Sequence, residues 1–114
     1  MKKKILLSLI AILPLLTFVS FASETIDKEA VESAQKKLEE IKIQLNLCSE
    51  QEDKVQKVLY EAFRNLNIIN REDSLTKEEK IKRYNKNSET YHNELRKILT
   101  QEQYDLYNSS ARGQ

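Results

Sequence analysis

The amino-acid sequence predicts an all-α protein built from three long helices and a short fourth. Three observations carry that expectation. Gly113 is the only glycine and Pro14 the only proline, and neither lies between residues 23 and 112. Turn-rich β architectures depend on such residues, so composition excludes them. Apolar residues recur every three or four positions through most of the chain, the period of one helix face. Acidic residues also stand four positions before basic ones at Glu32–Lys36, Glu50–Lys54, Asp53–Lys57, Glu78–Lys82 and Glu79–Arg83. Each such pair supports an isolated helix by about 0.2–0.5 kcal/mol.

The first segment has the pattern of a leader. Lys2, Lys3 and Lys4 precede a nearly unbroken apolar run from Ile5 to Phe21, and Ser20 and Ala22 occupy the minus-3 and minus-1 positions of a signal-peptidase site. The run has 17 residues, at the lower limit for a retained membrane anchor. The expected organisation is a cleaved signal peptide, residues 1–22, then one α-helical domain, residues 23–114, with no stable membrane anchor. Cleavage removes three of the 19 basic residues and none of the 18 acidic ones, leaving sixteen against eighteen and a net charge of −2. That balance excludes a strongly basic nucleic-acid surface. A domain this small buries a thin core, which favours association with a second copy.

Within the mature chain the first helix is expected over Ile26 to Leu45, on the stripe Ala30, Ala34, Leu38, Ile41 and Leu45. The second runs from Ser49 to Asn70, with Val55, Val58, Leu59, Ala62, Phe63, Leu66 and Ile69 on one face. The third spans Thr76 to Leu99 on Ile81, Tyr84, Ser88, Tyr91, Leu95 and Ile98, and the fourth Gln101 to Ser109. Arg71-Glu72-Asp73-Ser74 is a short polar connection, so the second and third helices form an antiparallel hairpin.

Two helix corners share one spelling. Leu47-Cys48-x-x-Gln51 and Leu99-Thr100-x-x-Gln103 each join a helix to the next without glycine or proline. In the second, Thr100 accepts from the amide three residues on while Gln103 reaches back to the Thr100 amide: a capping box. Leu99 and Tyr104 are placed to close a hydrophobic staple. Thr76-x-x-Glu79 starts the third helix by the same device. Cys48 caps poorly in the first copy, and Ser49-x-x-Glu52 offers a substitute box one residue later.

Two such corners about fifty residues apart, in a small exported helical chain, resemble the Spy and CpxP family of periplasmic proteins, known by its LTxxQ motif. The resemblance covers Leu45 to Leu106, with the full motif at Leu99, Thr100 and Gln103 and a departure at Cys48. It implies a thin hooked hairpin that pairs with a second copy into a cradle-shaped homodimer in the periplasm. It also implies ATP-independent binding of unfolded or misfolded envelope proteins, or modulation of an envelope-stress sensor kinase through that kinase's periplasmic domain.

For client binding, the sequence offers a basic margin of Lys54, Lys57 and Arg64 one position ahead of an apolar stripe that includes Val58 and Phe63. Such a margin attracts acidic unfolded chains before apolar contact. The same stripe also serves as a helix-packing face. No Ser–His–Asp set, paired cysteine or phosphate loop is present, and His92 is placed on a polar helix face, so no enzyme is expected. Cleavage leaves one His, one Cys and no Met, too few soft or imidazole ligands for a metal site. No cofactor is expected, and the lone Cys48 has no internal disulfide partner.

Overall fold

The computed structural model of the protein describes the backbone of residues 2–112 and the side chains of residues 24–110. Among the described residues it contains four helices, α1 (Lys2–Leu45), α2 (Ser49–Arg71), α3 (Lys77–Ile98) and α4 (Gln101–Arg112). The side chains of the expected leader, residues 1–22, and its cleavage site lie outside the described residues. Among the described residues no helix is long and apolar enough to cross a membrane.

Successive helices alternate in direction. Salt bridges Lys42–Glu52 and Arg64–Asp27 tie α1 antiparallel to α2. The Asn87 side chain donates to the Ala62 carbonyl and the Tyr84 hydroxyl to Asn70, setting α2 antiparallel to α3. Tyr91–Tyr107 and His92–Tyr104 contacts do the same for α3 and α4. Among the described residues the helix backbones pack α1 on α2, α2 on α3, and α4 on both α1 and α3, while the backbones of the diagonal pairs stay apart. This is a four-helix ring whose fourth member is half-length, so one corner of the bundle is filled at one end only.

That end holds the core. Ala34, Leu38, Ile41, Leu45 and Leu47 meet Val55 and Leu59 of α2, Leu95 and Leu99 of α3 and its corner, and Tyr104 and Tyr107 of α4. Among the described residues Ile41, Leu59, Leu95 and Val55 are the largest side chains wholly removed from water, each worth about 1.5–3 kcal/mol in transfer free energy. The stripe expected on α3 is buried only in part. Leu95 is enclosed, but Ser88 is exposed and Ile81 keeps 47% of its surface in water. The reason is the length of α4, which reaches His92 and Tyr91 but leaves the N-terminal half of α3 uncovered.

The expected acid-before-base pairs do not form among the described residues. Local pairs close instead at three-residue spacing, Lys37–Glu40, Lys42–Glu39 and Lys97–Glu94. Arginines go between elements: Arg71 to Glu29, Arg64 to Asp27, Arg83 to Glu72. The Glu79 carboxylate accepts from the Thr76 hydroxyl at 3.2 Å, while Arg83 pairs with Glu72. On a wet helix face the entropy of two long side chains offsets most of the Coulomb gain, so spacing alone does not fix the partner.

Candidate functional site

The two corners form as capping structures, with one correction. Thr100 accepts from the Gln103 amide at 3.1 Å, and Gln103 Oε1 accepts from the Thr100 amide at 2.9 Å. Leu99 and Tyr104, the expected staple, are both buried. At the first corner the N-cap is Cys48 itself, and Ser49 is already the first helical residue, so the substitute Ser49–Glu52 box is not used. Sulfur is a weak acceptor. Gln51 Oε1, accepting from the Cys48 amide at 3.2 Å, carries that corner. The extra residue here is Asn46, which leaves α1 with φ 53° in the left-handed region that asparagine tolerates.

The corners also meet, which neither capping box foretells. Gln51 Nε2 donates to Gln103 Oε1 at 2.7 Å, and Gln103 Nε2 donates back to Gln51 Oε1 at 3.2 Å. Each amide spends its other proton on the end of a helix from the opposite corner. Gln51 reaches the Ile98 carbonyl and Gln103 the Leu45 carbonyl, at 3.2 and 3.3 Å. Those are terminal carbonyls of α3 and α1, groups a helix leaves unpaired. Both side chains are thus saturated: two acceptor bonds and two donor bonds apiece. The sequence held one usable signal for this junction. The second and third helices are nearly equal in length, which returns both corners to the same end of the hairpin.

Above this junction, beyond Tyr107, lies an open groove of about 270 Å³. Leu59, Ala62, Phe63 and Leu66 of α2 form its floor, Tyr84, Ser88 and Tyr91 of α3 one wall, and Lys37 of α1 the other side. It lies between α1 and α3, with Tyr107 of α4 at its edge. An aromatic cluster closes its lower end. Tyr91 and Tyr107 share a hydroxyl hydrogen bond at 2.9 Å, His92 packs edge-on against Tyr91 and Tyr104, and Arg96 stacks over the Tyr104 ring. Burial, then the Tyr107 neighbour, push the Tyr91 phenol well above its ordinary pKa. His92, expected on a polar face, is therefore half-buried among tyrosines, because α4 folds back onto that face of α3.

The expected client-binding residues divide between surfaces. Phe63 lines the groove, and Val58 packs partly buried against the core. Lys54, Lys57 and Arg64 do not line it. Lys57 and Leu59 point roughly 200° apart around α2, as do Arg64 and Leu66, at 3.6 residues per turn. Lys57 sits instead in a shallow cleft with Val31, Ala34 and Tyr60. Arg64 donates to Asp27 at 2.9 Å, and that bond and charge raise its pKa. Burial, then Asp27, raise the pKa of neighbouring Tyr60. Cys48 is exposed and free. Among the described residues no group of three or more His, Cys, Asp or Glu gathers as a metal site.

No protein-family model matches the chain, and comparison with curated proteins and with solved structures finds no match.

Proposed function

We propose that the mature chain is an exported, ATP-independent chaperone-like protein of the Spy and CpxP type that binds unfolded or aggregation-prone envelope proteins. The observation that carries the reading is the uncovered apolar groove between α1 and α3, floored by Leu59, Ala62, Phe63 and Leu66. A folded domain that leaves a core-facing surface open keeps a place for another chain's apolar residues. The paired LTxxQ-like corners and the leader pattern support the family and the periplasmic location. In this reading the protein works as a homodimer whose hooked hairpins form a cradle, and Lys54 and Lys57, both exposed, steer acidic clients from outside the groove.

The test is aggregation of two chemically different unfolding clients with purified mature protein. Stoichiometric protein should delay both without nucleotide, and a chelator should change nothing. Failure with both clients, together with saturable capture of one sensor-kinase periplasmic domain, transfers the protein to the regulatory reading.

A further inference from the structure

Along its described length α1 is held to α2 by two different means. Leu38, Ile41 and Leu45 enter the core with Val55 and Leu59, and the Lys42–Glu52 pair is backed by that packing. Nearer the start of the described stretch, the buried face is Ala30 and Ala34, with Ile26 one turn earlier half-buried. An alanine brings one methyl, and burial stabilises in proportion to the apolar area removed from water. Ala30 is wholly buried, yet it stands outside the core cluster. Open space also flanks these alanines on both sides. α1 presents Lys37 to the groove floored by Phe63 and Leu66, and Val31 to a second cleft, of about 350 Å³, beside Tyr60.

Two ion pairs supplement this narrow contact. Asp27 accepts from Arg64 Nε at 2.9 Å, and Glu29 from Arg71 Nη2 at 2.8 Å. Each of the four side chains keeps between 40% and 49% of its surface in water, so dissolved ions reach both pairs and screen them. A helix held by a core at one end and by alanines and wet ion pairs at the other opens locally before it opens globally. We propose that residues 24–34 of α1 form a strap that lifts from α2 while the core from Leu38 onward stays closed, with Arg64–Asp27 and Arg71–Glu29 as its latch. Lifting joins the groove and the second cleft into one face of α2, on which Tyr60 lies beside Leu59, Phe63 and Leu66. The protein then shows more apolar surface as ionic strength rises. This device goes beyond the client-binding reading, because it does not depend on what either cleft holds.

Amide hydrogen exchange of the mature protein, read by mass spectrometry at constant pH in about 0.02 M and about 0.5 M sodium chloride, tests the strap. Residues 28–34 should exchange about ten-fold faster at the higher salt, while residues 38–45 and 91–98 keep their rates. Asp27→Arg, which sets two cations against each other, should make residues 28–34 exchange fast at both salt concentrations. Adding Arg64→Asp reverses the pair and should restore slow, salt-dependent exchange. A helix end that merely frays gains nothing from a change at Arg64, so that rescue separates a latch from fraying. Exchange of residues 28–34 that ignores salt, or that keeps step with residues 38–45, overturns the proposal, and so does failure of Arg64→Asp to rescue. The salt comparison needs no variant, so the proposal stays open to refutation even if Asp27→Arg fails to fold.

Discussion

Gln103 accepts two hydrogen bonds and donates two, and its partners belong to two other helices, α1 and α2, and to its own corner. From the sequence, Thr100 is the residue whose loss matters most, since it is the N-cap. The structure reverses that order. Thr100→Ala should cost about 0.5–2 kcal/mol, the worth of a cap. Gln103→Leu strands the Leu45 carbonyl and one side of Gln51 in a half-buried site, and should cost about 2–6 kcal/mol at roughly 1–3 per stranded group. Urea melts of Thr100→Ala, Gln103→Leu, Gln51→Leu and the double variant measure both claims. The two glutamine changes should couple by at least about 1 kcal/mol; simple additivity would mean that the corners are independent. Cys48→Thr restores a hydroxyl cap and should raise stability by about 0.5–1 kcal/mol. Tyr91 sets an alkaline limit. Its folded pKa lies above that of the unfolded chain, so the folded state holds its proton where the unfolded state releases it. Stability should therefore be complete below about pH 10 and fall above it by up to about 1.4 kcal/mol per pH unit. Tyr91→Phe should flatten that fall in melts between pH 9 and 11.5.

At the scale of elements, α4 is short but joins two hairpins that otherwise share only the α2–α3 seam. Tyr104 and Tyr107 supply its buried face, and Gln103 ties its first turn to the end of α1. A chain ending after Leu99 should lose the sharp cooperative transition seen by circular dichroism and bind a hydrophobic dye, because Leu45, Leu95 and Tyr91 lose their cover. Retention of a sharp transition would show that α1–α3 fold alone. Much of this level was legible beforehand. All four helices, the antiparallel hairpin and the caps at Thr76 and Thr100 follow from local spacing and local hydrogen bonds. The α3 stripe was over-read, since periodicity marks a face but says nothing of how far the covering helix extends.

For the whole molecule, the leader pattern gives an expected mass: mature protein recovered from the envelope fraction should begin at Ser23. A full-length mass in the membrane pellet would show a retained anchor. The thin core and the groove also give an expectation for assembly. Mature protein should sediment as a dimer at micromolar concentration and dissociate on dilution; a monomer at all concentrations removes the cradle from the proposed function.

The sequence by itself determined that this chain is helical, where α2 and α3 begin and end to within a residue, and which residues turn its corners; α1 starts earlier and α4 ends later than expected. Those outcomes depend on neighbours three or four positions apart, and such neighbours are visible in a linear text. Only the tertiary structure decided that Gln51 and Gln103, 52 positions apart, face each other, that His92 lies among tyrosines, and that the basic residues of α2 turn away from its open groove. Each of these depends on how far one helix runs along another and on which side it packs. That is fixed by the joint burial of Ile41, Leu59 and Leu95, and no local pattern contains it.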